Sequence, residues 1–233
     1  AYRARSAFHI FLSQVSAAMT SFASRLVQWQ RLHGRHDLPW QNTRDPYRVW
    51  LSEIMLQQTQ VATVMGYYDR FLAAFSDVNA LAAAHLDQVL ALWSGLGYYS
   101  RARNLHACAR QVVSQFGGEF PRQVAELQTL KGIGPSTAAA IASLCFDARV
   151  AILDGNVKRV LARLIRSSRP PARQLAGFWQ LSELLLDPQR PREFNQALMD
   201  LGSSLCSPHQ PSCGCCPWQG HCAAYAAGDP AHY

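Results

Sequence analysis

The sequence predicts an all-α protein. Three observations predict it. Apolar residues recur three and four apart along most of the chain, the period of a helix with one buried face. Gly and Pro fall between those stretches rather than inside them. Strand-like alternation is nearly absent, and Arg149 to Leu153 is too short a run to change the class. A hydrophobic content of 49% over 233 residues supports a true core, in one large or two small domains.

The elements follow in order. Residues 21–37 predict an N-terminal helix and its exit. Leu51 to Met55 is an apolar helical stretch carrying one acid, Glu53. Val61, Val64, Tyr68, Phe71, Leu72 and Phe75 mark a helix, and Leu86, Val89, Leu90 and Trp93 mark another that Gly95 stops. Leu105, Ala109, Val112, Val113 and Phe116 mark a third, ended by Gly117-Gly118. An Ala-rich helix runs from about Pro135 to Leu144. Val157, Val160, Leu161, Leu164 and Ile165 define the next, and Ser167 to Arg173 reads as a connector. Two helices follow, near 174–186 and 192–205.

Composition narrows the function. The chain carries 22 basic and 15 acidic residues, a net charge of +7. That balance suits a polyanion such as nucleic acid. All the basic residues except Lys131 and Lys158 are arginines. Arginine favours bidentate phosphate contacts, although a GC-rich genome produces the same excess. No apolar run reaches the roughly 18 residues of a bilayer-spanning helix, so a membrane partner is not expected. Seven cysteines, an odd number with five of them clustered, favour a reducing compartment, and a cytoplasmic, nucleoid-associated bacterial protein is expected. Residues 1–20 read as an N-terminal extension: Arg3, Arg5 and Phe8 to Leu12 faintly resemble a targeting segment, and Met19 is a candidate start.

Four motifs carry chemistry. Cys206, Cys213, Cys216 and Cys222 place four thiols within 17 residues, which suits a [4Fe–4S] cluster because each iron takes one protein sulfur. A zinc site and disulfides stay open as alternatives, but zinc ribbons pair two short C-x2-C knuckles and this run has one. Cys215 lies within the loop as a competing ligand. Cys108 and Cys145 stand alone in apolar helices as buried thiols.

Leu130-Lys131-Gly132-Ile133-Gly134-Pro135-Ser136 is the second motif. Gly132 and Gly134 let the backbone turn sharply and approach an anion without a Cβ in the way. Pro135 opens the following helix, whose free N–H groups face the phosphate. An ordinary helix–helix turn is the plainer alternative. Third, Asp154 heads the segment Asp154-Gly155-Asn156-Val157-Lys158, where an acid is commonly just an N-cap. Fourth, Glu53 in its apolar helix is costly to bury as an ion. Burial would raise its carboxyl pKa, while pairing with an Arg or a place at the surface is the plainer alternative.

Together with Gly95-Leu96-Gly97-Tyr98-Tyr99-Ser100-Arg101-Ala102-Arg103, Leu38-Pro39-Trp40 and Asp45-Pro46-Tyr47, these motifs resemble the adenine glycosylase branch of the endonuclease III, or helix–hairpin–helix, DNA glycosylase family over about residues 21–225. The resemblance implies the all-helical helix–hairpin–helix glycosylase fold. A helical domain would span 38–148. A second would combine 21–37 with 149–233 and carry the cluster, with the active site in the cleft between. It implies Glu53 as the general acid and Asp154 as the carboxylate facing the deoxyribose C1′. Gln57, Gln58 and Thr59 would enter the duplex. Tyr98 and Tyr99 would stack or wedge against bases, and Arg101 and Arg103 would meet phosphates. Trp40 would line the base pocket or close the core, and Asn156 and Lys158 would adjoin the nucleotide. Loop residues His209, Gln210, Trp218 and His221 would approach the DNA backbone.

Bifunctional members carry a Lys where this chain has Ser136, so a monofunctional enzyme is implied. The expected activity is hydrolysis of adenine mispaired with 8-oxoguanine or guanine in double-stranded DNA by a monomer. The alternatives are a thymine or uracil mismatch glycosylase on the same scaffold, or a non-catalytic iron–sulfur DNA-binding module. Family members usually carry a further C-terminal domain that recognises 8-oxoguanine, and that domain is expected to be absent here.

Overall fold

A computed structural model describes residues 22–168, 170 and 173–233. Every regular element in it is a helix, with no strand among the described residues. The predicted extension 1–20 lies outside the described residues, as do Arg169, Pro171 and Ala172 of the predicted connector. Among the described residues, no helix is long and apolar enough to cross a membrane.

The chain divides into two compact units, Asp37–Phe146 on the one hand and residues through His36 with Asp147–Tyr233 on the other. The unit Asp37–Phe146 holds α2 (Pro46–Met55), α3 (Val61–Ala74), α4 (Val78–Ala83), α5 (Leu86–Trp93), α6 (Ser100–Phe116), α7 (Val124–Leu127) and α8 (Pro135–Phe146). Asp45 starts α2: its side chain accepts from the Tyr47 N–H at 2.9 Å, and Pro46 occupies the first turn, where a missing N–H costs nothing. The buried face of α2 presents Trp50, Leu51, Ile54 and Met55, and α2 packs against α8. Residues Thr137 to Cys145 of α8 are buried all round, as a central helix must be. Its alanines let neighbours approach closely. Gly117 ends α6 in the left-handed conformation, at φ 64°. Cys108 and Cys145 are both buried here, and burial pushes the Cys108 thiol up to about 12.

The other unit holds α1 (22–33), α9 (Gly155–Leu164), α10 (Leu175–Leu185), α11 (Pro191–Ser204) and the short α12 (Ala223–Ala226). Its core gathers Leu26, Val157, Leu161, Phe178, Phe194, Leu198 and Trp218. The N-terminal helix belongs to this core. Its exit is held by the fully buried Asp200, which accepts from Gln30 Nε2 at 3.4 Å and pairs with Arg35 Nη2 at 3.1 Å. The segment 149–153 forms no regular element. Asn195 and Ser182 satisfy its backbone instead: Asn195 Nδ2 donates to the Val150 carbonyl at 2.8 Å, Asn195 Oδ1 accepts from the Ile152 N–H at 3.3 Å, and Ser182 Oγ donates to the Ile152 carbonyl at 3.0 Å. These bonds fix the approach to Asp154.

Candidate active site

In the unit Asp37–Phe146, Glu53 sits half-buried on α2 between the buried Ser52 and Ile54. The helix ends two residues later and turns. Gln57 and Gln58 are exposed at that turn, Thr59 is half-buried, and Gln58 adopts φ 58°. A second turn, Ser94 to Tyr99, leads into α6. Gly95, Gly97 and Tyr98 all have positive φ, and Tyr98 is 61% exposed. Tyr99 and Arg103 are exposed beside it. A left-handed conformation is uncommon for residues other than Gly. Two exposed side chains, Gln58 and Tyr98, therefore stand on strained backbone.

Arg101 corrects an expectation. It is only 8% exposed and is not placed to meet a phosphate. Its guanidinium donates to the carbonyls of Ile54 (2.9 Å), Met55 (2.8 Å), Gln57 (2.6 Å) and Leu96 (3.0 Å), and to Thr59 Oγ1 (3.1 Å). The two terminal NH2 groups of a rigid planar fork serve all these acceptors, a reach that a point-charge ammonium lacks. Trp40 is buried, its ring edge-on to Tyr68 at 5.2 Å, in the core of its unit.

The hairpin Leu130–Gly134 precedes α8. Gly132 needs its glycine: φ is 80°, and a Cβ would lie 2.8 Å from Asn104 Cβ. Gly134 has no left-handed backbone, and a Cβ there would meet open space. The expectation of two conformationally special glycines holds only for Gly132. Gln111 Oε1 accepts the Lys131 N–H at 2.7 Å, which fixes the hairpin to α6. Ser136 lies half-buried in the first turn of α8.

In the other unit, Asp154 is the N-cap of α9 and accepts from the Val157 N–H at 2.7 Å. Part of the residue surface stays exposed, while protein surrounds the carboxyl group closely. Burial pushes its pKa above the ordinary carboxylate value. The N–H groups of Val157 and Asn156 and the charges of Arg159 and Lys158 oppose that shift without cancelling it. Asn156 Oδ1 accepts from Arg159 Nη2 at 2.9 Å. Gly202 of α11 lies so close that a Cβ would fall 2.7 Å from Asn156 Cβ. Lys158 is half-buried one turn along α9, its N–H bonded to the Asp154 carbonyl at 3.0 Å.

Cys206, Cys213, Cys216 and Cys222 are free, half-buried thiols near one another. Cys213 and Cys222 are pushed above the usual thiol range, and Cys216 up to about 12, first by burial and then by the charges of others among the four. Among the described residues, no three His, Cys, Asp or Glu side chains converge as the ligands of one ion. Four neighbouring thiols, each free to take its own iron, match the donor chemistry of a cubane cluster.

Two arginines to which the sequence reading gave no role serve this loop. Arg159 Nε donates to the Cys206 carbonyl at 2.9 Å, so one side chain joins Asn156 to a cysteine of the loop. The buried Arg163 donates to Cys206 Sγ at 3.2 Å and to the Ser207 and Pro208 carbonyls, each at 2.7 Å. Their spacing of four on α9 was the available signal. Trp218 corrects another expectation. It is 1% exposed, stacked on Phe22 at 4.2 Å, with its indole N–H on the Phe22 carbonyl at 3.1 Å, so it is core and not a DNA-facing residue. His209, Gln210 and His221 are exposed.

The family model for HhH-GPD superfamily base excision DNA repair proteins matches residues 51–178, more than half of the chain. The chain belongs to this superfamily. Its similar relatives include the adenine DNA glycosylase of Mus musculus, 47% identical over 94% of this chain and 44% of that protein. The adenine DNA glycosylase of Buchnera aphidicola (subsp. Baizongia pistaciae) is 43% identical over 88% of this chain and 58% of its own length. The chain thus spans about half the length of these relatives. Among solved structures, a thermostable thymine-DNA glycosylase superposes with a TM-score of 0.82 at 28% identity, covering 91% of this chain and 99% of that one. An endonuclease III–DNA complex superposes at 0.74 and 19% identity, over 93% and 97% of the two chains, and shares the HhH-GPD fold.

Proposed function

We propose that this HhH-GPD chain carries the catalytic part of a monofunctional adenine DNA glycosylase. It would hydrolyse the N-glycosidic bond of adenine mispaired with 8-oxoguanine or guanine in duplex DNA, as a monomer, in a reducing compartment. One observation carries the reading: relatives named adenine DNA glycosylases match 86–94% of this chain at 38–47% identity.

The adenine leaves the stack and enters a pocket. The turn residues Gln57, Gln58 and Thr59, with Tyr98 and Tyr99, fill and flank the vacated space. The hairpin at Gly132 and Gly134 and the first turn of α8, including Ser136, hold a backbone phosphate, and Arg103 meets another. Glu53 donates a proton to N7 of the purine. The N9–C1′ bond breaks, its electron pair leaves with the base, and positive charge develops on the sugar. Asp154 stabilises that charge. Glu53, now a carboxylate, takes a proton from water as the oxygen adds to C1′. Adenine and an abasic site result, with no net electron transfer. Ser136 offers no amine to attack C1′, so the strand stays intact.

Cys206, Cys213, Cys216 and Cys222 would hold a [4Fe–4S] cluster, which when bound supplies a structural tie for the C-terminal loop. Arg159 and Arg163 position that loop through its carbonyls. The thymine-DNA glycosylase among the structural neighbours favours a second reading, excision of thymine or uracil from mismatches. A panel of duplexes containing A:8-oxoG, A:G, T:G and U:G, incubated with the protein and then treated with hot alkali, separates the two. Breaks at the adenine of the first two support the proposal. Breaks confined to T:G or U:G support the second reading, and binding without breaks would leave a non-catalytic module.

A further inference from the structure

We propose that Arg101 is a positioning residue that presets two exposed, strained turns as one rigid unit. The part of this that concerns DNA rests on the function proposed above. The turns are those of Gln58 and Tyr98, 40 positions apart in sequence, at φ 58° and 48°. Neither side chain is buried, so packing of Gln58 or Tyr98 does not hold the strain. Arg101 does. Its guanidinium takes the carbonyl immediately before each strained residue: Gln57 O at 2.6 Å through Nη1, and Gly97 O at 3.3 Å through Nη2. Nη2 also reaches both turns at once, through Thr59 Oγ1 at 3.1 Å and Leu96 O at 3.0 Å.

The base of the clamp is firm. Nη1 is seated on the last carbonyls of α2, Ile54 and Met55, where a cation is favoured by the helix dipole. The guanidinium lies over the buried Trp93 ring at 5.3 Å, and the Trp93 indole N–H itself holds the Gly97 carbonyl at 3.0 Å. Among the described residues, every acceptor of Arg101 is a neutral oxygen. Its work is geometric, and a planar fork is what the geometry needs.

Non-glycine residues in left-handed backbone persist only where the surroundings over-determine them, and they cluster at functional sites, although Asp147 and Arg166 share the conformation elsewhere. A clamp that fixes both turns before DNA arrives lowers the ordering cost of inserting Gln58 and Tyr98 together. Arg101 touches no substrate in this account. It acts through the two turns, and its loss should unlock both.

Arg101→Lys tests this, because it keeps the charge and removes the fork. Amide hydrogen exchange of the free protein is the readout that needs no activity. The expected result is exchange about tenfold faster at the hydrogen-bonded amides of the two turns, Gln57 and Thr59 in one and Leu96 in the other, together, with α3 and α8 unchanged. On A:8-oxoG duplex under single turnover, the half-saturating protein concentration should rise about tenfold, with a smaller change in the limiting rate. Wild-type exchange in the Lys variant would overturn the proposal, since charge alone would then suffice. So would loosening of one turn without the other, or uniform acceleration across all helices, which marks ordinary destabilisation. If Arg101→Lys does not fold, Thr59→Val removes one Nη2 acceptor at nearly constant volume. Faster exchange at the Leu96 amide of the other turn in that variant supports the clamp, and no change there refutes it. Coupled exchange alongside a wild-type protein that excises no base would sustain the clamp and overturn the function it serves.

Discussion

Asp154 is asked to do two things, cap α9 and stabilise charge at C1′, and substitution can pull them apart. Both Asp154→Asn and Asp154→Ala remove the charge. Asn keeps a side-chain oxygen for the Val157 N–H, now bonded at 2.7 Å, and Ala does not. Losing a cap costs about 1 kcal/mol. For a chain of this size that is roughly a 2–4 °C fall in the thermal midpoint. The Ala variant should therefore melt that far below the Asn variant.

The comparison of Asp154→Asn with wild type tests burial. A carboxylate at a helix N-terminus gains about 0.3–1 kcal/mol from the dipole. Burial nevertheless wins here, because the pKa is raised and not lowered. A raised folded-state pKa means the native state holds this proton more tightly than the unfolded chain. Its contribution is fully present below the ordinary Asp value of about 4 and is lost as pH rises through the higher folded value. Asp154→Asn should equal wild type in acid and become the more stable of the two toward neutral pH. Both variants should lose excision by at least about 100-fold, the scale of one preorganised electrostatic partner. Midpoints from pH 3 to 8 and single-turnover excision measure all of this. Excision by Asp154→Asn within a few-fold of wild type would reduce Asp154 to a cap and refute the reasoning.

Other outcomes follow from the same geometry. Trp218→Ala should destabilise its unit by about 3–5 kcal/mol, the range for emptying a large aromatic site, read as a fall in urea or thermal midpoint; a surface-like change under 0.5 kcal/mol would contradict its core placement. Protein purified without oxygen should contain about four irons per chain, retained in Cys215→Ser and lost in Cys216→Ser. Retention of iron in both would remove Cys216 from the ligand set. Product strands should stay intact until alkali is added, and breaks without alkali would contradict a monofunctional reaction.

Much of the fold was readable because long helices repeat their apolar spacing several times. α3, α6 and α9 announced themselves through Val64-Tyr68-Phe71, Leu105-Ala109-Val112 and Val157-Val160-Leu161-Leu164, and Gly117 marked its own helix end. The four-residue α7 and α12 and the six-residue α4 complete too few turns for periodicity to register. The segment 149–153 looked faintly like a strand because it is largely apolar. It has no sheet because Asn195 and Ser182, distant in sequence, take its backbone bonds.

The site was legible in residue identity and less so in burial. Asp154 before an amphipathic helix reads as a cap, and it is one. Arg101 in a Gly-Tyr-Tyr turn reads as a phosphate ligand, because sequence does not say which carbonyls a fold will aim at a guanidinium. Trp218, in a loop between Pro217 and Gln219, reads as exposed until Phe22 and Phe194 are seen against it. Gly132 and Gly134 look alike in the motif. Only the first carries left-handed backbone, and only there would a Cβ meet α6, at Asn104.

The most direct test of the whole account is chromatographic detection of free adenine released from an A:8-oxoG duplex, with wild type and Glu53→Gln run side by side. Wild type should release adenine stoichiometrically with abasic sites, and Glu53→Gln should release none while binding the duplex and melting like wild type. Adenine release by Glu53→Gln at near wild-type rates would contradict it.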